Sequence, residues 1–283
     1  MSYNKITVVI NTFHSEDKID QCLNSIDPKV KIVIIENSNN AHFKYKVEKK
    51  YLNVSCYLAG ENLGYAKGNN LGLSKVITEY ALILNPDAYL ENDTINNLIN
   101  SAKKCNAFAI IGPAKQDEYS NKNLDDTKPD IFEVDYVKGF AMFLNMKEFK
   151  NIGFFDENIF IYLEEMDLCK RLKKNNKKIF LAQDVIIHHV GGSSHNAKIN
   201  FEMELSRNWH WMWSTFYFYR KHYGYFFSLI KILPKFFSAF LKMIFYFVIF
   251  ERFKSNVYKY RFLGIVNGLF LKKSWYRPQI DKF

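Results

Sequence analysis

An α/β fold built on a largely parallel sheet, followed by an α-helical C-terminal segment, is what this 283-residue sequence predicts. Three observations carry it. Across the first 115 residues, short apolar runs alternate with stretches of helical periodicity. The runs are continuously apolar, the pattern of strands covered on both faces. Charge and aromatic content then divide the chain near residue 200. Residues 1–200 hold 25 basic and 25 acidic side chains, whereas residues 201–283 hold 14 basic and 4 acidic. The net charge of +10 therefore lies wholly in the tail, which also holds all four tryptophans and 27 of the 48 aromatic residues. A disordered basic arm lacks aromatics, and a uniformly basic nucleic-acid binder would not confine its charge to one end. Nucleic acid is not an expected partner.

The elements follow in order. Residues 6–10, Ile-Thr-Val-Val-Ile, read as a first strand, and Ile19, Cys22, Leu23 and Ile26 recur at helical spacing over 18–26. Strands are expected at 30–35, 54–58, 81–84 and 107–111, and helices at 67–76 and 93–104. Residues 116–129 are polar and loop-like. An extended aromatic stretch then covers 132–144, with Gly139 in its middle. Residues 160–163 lead into a helix over 164–174, two short strands follow at 179–181 and 185–187, and 188–196 reads as a Gly/Ser/His loop. The expected division is a body at 1–205 and a helical, basic and aromatic region at 206–283.

In that region the uncharged runs 243–250 and 236–241, separated by Lys242, are far shorter than the roughly 20 residues a membrane span needs. At about 100° per residue, Lys231, Lys235 and Lys242 fall on one helical stripe and phenylalanines and leucines fill the rest. Such a helix suits the membrane interface, with an anionic surface as partner. Packing on the body or on a second copy in a homodimer is the alternative. Pro234 is expected to kink or restart the helix. Trp209, Trp211 and Trp213 are candidates for stacking on sugar or for anchoring at the interface. No secretory signal is read at the N-terminus. The four widely spaced cysteines point to reduced thiols, so the cytoplasmic side of the membrane is the expected location, with peripheral attachment.

Chemistry gathers at strand ends. In open α/β sheets, ligands bind beyond the carboxyl ends of strands. There the sequence places Asn11-Thr12, then Glu36-Asn37-Ser38, then Asn85-Pro86-Asp87. Between the last two lies Glu61-Asn62-Leu63-Gly64-Tyr65-Ala66-Lys67-Gly68-Asn69-Asn70-Leu71-Gly72, whose glycines let a helix start approach a ligand or a neighbouring strand. Asp87 is suited to a hard divalent cation on a nucleotide diphosphate, although Asn-Pro-Asp is also ordinary turn chemistry. Glu164, Glu165 and Asp167 crowd a helix start, where acids also simply favour the dipole.

These motifs, in this order, resemble glycosyltransferase family 2, in particular its bacterial rhamnosyltransferase-like branch. The resemblance continues through Val137-Lys138-Gly139, Ile152-Gly153-Phe154-Phe155-Asp156-Glu157, Tyr162-Leu163-Glu164-Glu165-Met166-Asp167-Leu168-Cys169 and His188-His189-Val190-Gly191-Gly192-Ser193. It implies a GT-A (Rossmann-like) nucleotide-sugar-binding domain and an inverting transfer. Thr12 and Glu36 would line the nucleoside pocket, with Asn62, Gly64, Lys67, Asn85 and Gly139 also in the donor site. The family more often has Asp where Glu36 stands, and Asn85 replaces the first acid of its Asp-x-Asp signature. Asp87 would hold Mg²⁺ or Mn²⁺, with His188 as a further metal or diphosphate contact and His189 the alternative. Glu165 is implied as the general base, with Glu164 the fallback and Asp167 in support. The expected donor is dTDP-rhamnose, with a UDP-hexose, UDP-N-acetylhexosamine or galactofuranose donor as alternatives. The acceptor would be a lipid-linked saccharide in surface-polysaccharide assembly. A non-catalytic sugar-nucleotide-binding subunit is the rival reading. A nucleotidyltransferase fits less well, because Asn11-Thr12-Phe13-His14-Ser15 lacks the Gly-rich phosphate loop.

Overall fold

Among the described residues, a nine-stranded sheet organises the first of two units into which the chain divides, its strands in the order Val54–Leu58, Lys31–Glu36, Ile6–Thr12, Tyr80–Leu84, Ala141–Asn145, Phe108–Lys115, Lys178–His189 and Ala88–Leu90, with Ile131–Glu133 paired to Lys178–His189. A computed structural model describes residues 3–105, 107–115, 129–189, 199–278 and 280. Most of the expected loop at 116–129 and the run from Val190 through Asn196 lie outside the described residues. The first unit comprises Met1–Phe155 and Glu165–Asn196, and the second Asp156–Glu164 and Ala197–Phe283.

Strands β1 (Ile6–Thr12), β2 (Lys31–Glu36), β3 (Val54–Leu58) and β4 (Tyr80–Leu84) run parallel. Their side chains alternate between two apolar layers, as the period of two requires. Val8, Ile10, Ile32, Ile34, Leu82 and Leu84 join one core, and Val9, Val33, Ile35, Ala81 and Ile83 join the other. This is why the runs carry no polar alternation. Helices α1 (Ile19–Asn24), α2 (Ala41–Lys50) and α4 (Thr94–Lys104) supply apolar residues to the first layer, and α3 (Gly64–Leu73) and α5 (Glu164–Lys174) to the second. Gly72 explains how α3 lies so close: a Cβ there would sit 2.4 Å from Val9 Cγ1.

The sheet is completed by β6 (Phe108–Lys115), parallel to β9 (Lys178–His189), and by β8 (Ala141–Asn145), antiparallel to both β4 and β6. Strands β5 (Ala88–Leu90) and β7 (Ile131–Glu133) pair antiparallel with β9. Three features differ from the sequence expectation. The two short strands expected after α5 are one strand of 12 residues, because its pairing with β6 absorbs a register shift. The extended stretch over 132–144 is broken between β7 and β8. Helix α2 goes unpredicted because only Phe43 and Val47 anchor it to the core, with Asn40 capping its start by accepting from Phe43 N at 3.0 Å.

The second unit is helical: α6 (Asn200–Tyr223), α7 (Tyr225–Val248) and α8 (Arg252–Leu269). The boundary expected at 205/206 falls inside α6. Trp209 and Trp213, one helical turn apart, are buried against Tyr276, while Trp211 points the other way and is exposed. Helix α7 runs unbroken through Pro234, which lies on its exposed side, where the carbonyl freed by proline can meet solvent. Its inward stripe is narrow and small, with Ser228, Ile232 and Ala239 buried. Its outward stripe, Phe226, Ile230, Leu233, Phe237, Leu241, Ile244 and Val248, is entirely apolar and exposed. Among the described residues, no helix is long and apolar enough to cross a membrane.

Candidate active site

The carboxyl ends of β1, β2 and β4 meet a frame of buried polar groups. Asn37 Nδ2 donates to Asn11 Oδ1 and, at 3.1 Å, to the Thr12 carbonyl, while Asn37 Oδ1 accepts from Leu63 N at 3.0 Å. Asn11 Nδ2 donates to the Gly64 carbonyl at 2.9 Å. Two strand ends and the loop before α3 are thereby tied together. Asn62 Oδ1 accepts from Gly64 N at 3.1 Å, and Gly64 itself has φ +75°, a backbone that favours glycine. Lys67 extends into solvent beside Glu61, 3.7 Å away. Asn11 and Asn37 have framing roles that the sequence marked only as polar strand ends.

Thr12 and Glu36 are both buried and already bonded within the protein. Thr12 Oγ1 donates to the Ile35 carbonyl at 3.2 Å. Glu36 accepts from Ser38 N at 2.9 Å, from the Ser38 hydroxyl, and from Asn40 N at 2.6 Å. Its carboxylate thereby shapes the β2–α2 turn.

At the end of β4, the Asn85 amide donates to the Phe140 carbonyl at 2.8 Å and the Asn85 carbonyl accepts from Ala88 N at 3.1 Å. This turn buries Asp87, whose side chain is 2% exposed. Asp87 Oδ1 makes no hydrogen bond, yet lies 3.3 Å from His189 Nε2. The contact is close but not aligned as a hydrogen bond. Sheet pairing decides which histidine is there. In the β5–β9 ladder Ala88 faces His189 and Tyr89 faces His188, and adjacent strand residues point to opposite faces. His189, opposite Ala88, lies beside the preceding Asp87 and stacks on Phe140, centroids 4.6 Å apart. His188, the residue selected from the sequence, stacks instead on Tyr89 at 4.7 Å and places Nε2 3.0 Å from Glu91 Oε1. Asp87 also lines a cavity of about 240 Å³ with Lys18, Gln21 and Tyr89.

Among the described residues no cluster of three or more acidic, His or Cys side chains forms a protein-only metal cage. A buried carboxylate oxygen without a hydrogen bond, beside an imidazole nitrogen, is a two-donor set. That suits a divalent cation whose other ligands are diphosphate oxygens and water.

Glu165 lies in the first turn of α5, and burial raises its pKa above the ordinary 4.5, opposed by the backbone amides of Glu165 and Met166. A carboxylate held up in this way is a stronger proton acceptor. Gly139 lies alongside: a Cβ there would be 3.7 Å from Glu165 Cβ and 3.4 Å from the Tyr65 hydroxyl, which donates to the Gly139 carbonyl. Tyr65 is a site residue that the sequence left as an unremarked position between motif glycines. Asp167 is fully buried and paired with Arg171 Nε at 2.8 Å, and that guanidinium also donates to the Ile152 and Phe154 carbonyls. The pair thus secures the loop before the acids. Glu164 is buried and divides with the second unit. Tyr162 and Leu163, just before it, both adopt left-handed backbone at φ 73° and 66°, a conformation costing on the order of 1–3 kcal/mol per residue.

Comparison with known proteins adds the following. The glycosyl transferase family 2 model matches residues 7–180. A low-salt glycan biosynthesis hexosyltransferase of Haloferax volcanii is 24% identical over 208 residues, 65% of this chain and 66% of that protein. An N-acetylglucosaminyl-diphospho-decaprenol L-rhamnosyltransferase of Mycobacterium tuberculosis is 19% identical over 240 residues, 67% of this chain and 77% of the relative. Among solved structures, a mannosyltransferase of Pyrobaculum calidifontis, in complex with GDP-Man and Mn²⁺, superposes with a TM-score of 0.59. That match covers 95% of this chain and 88% of the other at 13% identity, a likeness of fold.

Proposed function

The chain belongs to glycosyltransferase family 2, and we propose that it is an inverting, metal-dependent enzyme transferring a hexosyl or deoxyhexosyl group from a nucleotide sugar to a lipid-linked saccharide. The observation that carries this reading is the pairing of a buried, hydrogen-bond-free carboxylate oxygen on Asp87 with His189 at the carboxyl end of β4. Glu165, held basic by burial beside Gly139, supplies the second half of the chemistry. In the proposed step the acceptor hydroxyl oxygen bonds to the anomeric carbon as the bond to the diphosphate breaks. The bonding pair leaves with the diphosphate, and Glu165 takes the hydroxyl proton. Asp87 and His189 would hold Mg²⁺ or Mn²⁺, which offsets the charge developing on the leaving group. Asn11, Asn37 and Asn62 hold the loops around the nucleoside and leave their own atoms little freedom to move.

Rhamnose from dTDP-rhamnose is the donor group we favour, supported by the rhamnosyltransferase relative, whose name also includes a diphospho-decaprenol acceptor. A lipid-borne acceptor agrees with the exposed apolar stripe of α7, a helix that carries Lys231, Lys235 and Lys242 on a separate exposed stripe. We place the enzyme peripherally on the cytoplasmic face of the membrane, a location with which its four free cysteines are compatible. The test is a nucleotide-sugar panel with N-acetylglucosaminyl-diphospho-decaprenol as acceptor. Transfer is expected with Mn²⁺ or Mg²⁺ and not in EDTA. Glu165→Gln should lower it by about 10²–10⁴-fold while nucleotide-sugar binding persists. Undiminished transfer by that variant, or in chelator, refutes the base or the metal assignment respectively.

A further inference from the structure

The turn between α7 and α8 has the hydrogen bonds of an ordinary helix end but an aromatic residue where glycine is usual. Glu251 N donates to the Tyr246 carbonyl at 2.9 Å, and Phe250 N to the Phe247 carbonyl at 3.1 Å. This pair of bonds closes many helices, with the residue after the cap in left-handed backbone and most often glycine. Here that residue is Phe250, at φ +60°. Burial of the ring does not offset the strain, since Phe250 is 84% exposed, more than any other described phenylalanine. Strain of this kind collects where a side chain is put to use.

The neighbours of Phe250 extend the same surface. From Ile244 to Lys254 every residue but Tyr246 is exposed, including Phe245, Phe247, Val248 and Ile249. A contiguous apolar patch of this sort marks an interaction site. Behind it lies a collar that is both aromatic and basic. Tyr246 and Tyr258 stack with centroids 5.5 Å apart. Lys254 Nζ turns back to within 5.4 Å of the Tyr246 ring centroid, while Lys242 Nζ lies 5.3 Å and Arg261 Cζ 5.1 Å from that of Tyr258. Residues 242–261 hold five basic side chains and a single acid, Glu251, which is itself 3.8 Å from Lys254. Tyr246 and Lys242 precede Phe250 by about 6 and about 12 Å of helical rise. An apolar end, then tyrosines, then cations is the order in which a bilayer presents hydrocarbon, interface and anionic headgroups.

We infer that the α7–α8 turn is the segment that enters an anionic bilayer, with Phe250 leading and Lys242, Lys254 and Arg261 meeting the headgroup phosphates. A second copy suits this surface less well, because two such turns meeting face to face would oppose collars of like charge. This inference rests on the enzyme's attachment to a membrane surface and names the part that makes it.

The test compares the full chain with its Phe250→Gly and Phe226→Ala variants by flotation. One set of vesicles holds equal parts phosphatidylserine and phosphatidylcholine, the other phosphatidylcholine alone. Phe226, 81% exposed at the opposite end of α7, is the control for loss of an exposed ring. Thermal unfolding of each protein is followed by circular dichroism, and its oligomeric state by gel filtration. Phe250→Gly should weaken binding to the mixed vesicles by about 10- to 100-fold. Its Tm should be no lower than that of the unaltered chain, because glycine suits the left-handed position. Phe226→Ala should weaken binding by no more than about threefold. The unaltered chain should bind phosphatidylcholine alone at least about tenfold more weakly than the mixture.

Undiminished flotation of Phe250→Gly overturns the inference, and so does equal binding of the unaltered chain to both vesicle types. Equal losses in the two variants also overturn it, because contact would then be spread along α7. A lowered Tm for Phe250→Gly would mean that the ring holds the fold, and a dimer dispersed by that change would assign the turn to a second copy. Failure of the unaltered chain to float at all refutes membrane attachment itself, and the inference with it.

Discussion

Exchanging each histidine of the His188-His189 pair for phenylalanine separates two assignments that sequence and structure make differently. His189→Phe keeps a ring on Phe140 and removes the nitrogen 3.3 Å from Asp87. His188→Phe keeps a ring on Tyr89 and removes the nitrogen 3.0 Å from Glu91. Volume and stacking are nearly matched in both, so the stability costs should stay within about 1.5 kcal/mol. The functional costs should differ. His189 is one of two protein donors at the proposed cation and diphosphate position. Interactions to charged groups are worth about 1.5–3 kcal/mol, which is about 10- to 150-fold in affinity at 1.4 kcal/mol per decade. His188 pairs with Glu91, whose side chain is 49% exposed, and such solvated pairs are worth only about 0–1 kcal/mol. The assay is titration of Mn²⁺ by electron paramagnetic resonance with the protein and dTDP, repeated for each variant. His189→Phe should weaken Mn²⁺ binding by at least about tenfold, and His188→Phe by no more than about fivefold. The reverse order would show that β9 does not keep the register with β5 on which the assignment depends. Equal, unaltered binding in both would remove histidine from the site.

Two further outcomes follow from the same geometry. Burial raises the Glu165 pKa, so kcat should fall on the acid side as pH drops through a value above the ordinary 4.5. A base must be ionised to accept the proton, so the loss runs from high pH to low. A limb centred at or below 4.5 would exclude Glu165 as the group observed. For the tail, each lysine near an anionic surface contributes about 1 kcal/mol. Lys231→Gln, Lys235→Gln and Lys242→Gln together should therefore weaken flotation with phosphatidylserine vesicles by about 100-fold. Vesicle binding unaffected by the triple change, or replaced by a stable dimer in solution, would reassign the α7 face to a second copy.

Much of the catalytic body is legible in order along the chain because its information is local. Val8, Val9, Ile10 and Ile32–Ile35 announce strands covered on both faces, since both layers of a parallel sheet are buried and no polar alternation survives. Asp87 and Glu165 stand out because a strand end and a helix start are positions where a short motif supplies both residue type and placement. Helix α2 escapes notice because two apolar residues, Phe43 and Val47, leave too weak a period. Pro234 does not restart the helix, since α7 continues through it from Tyr225 to Val248.

The sequence by itself determined the fold class, the ordered motifs at the strand ends and the segregation of all excess charge into a helical tail. Each depends on composition or on spacing within a dozen or so residues. Tertiary structure alone decided which of two adjacent histidines faces Asp87, because that turns on the register between β5 and β9, strands almost 100 residues apart, and a shift of one residue exchanges the faces. It alone showed that Glu36 is consumed by its own turn and that Tyr65 meets Gly139. Such contacts are set by packing geometry, which no local pattern of residues encodes.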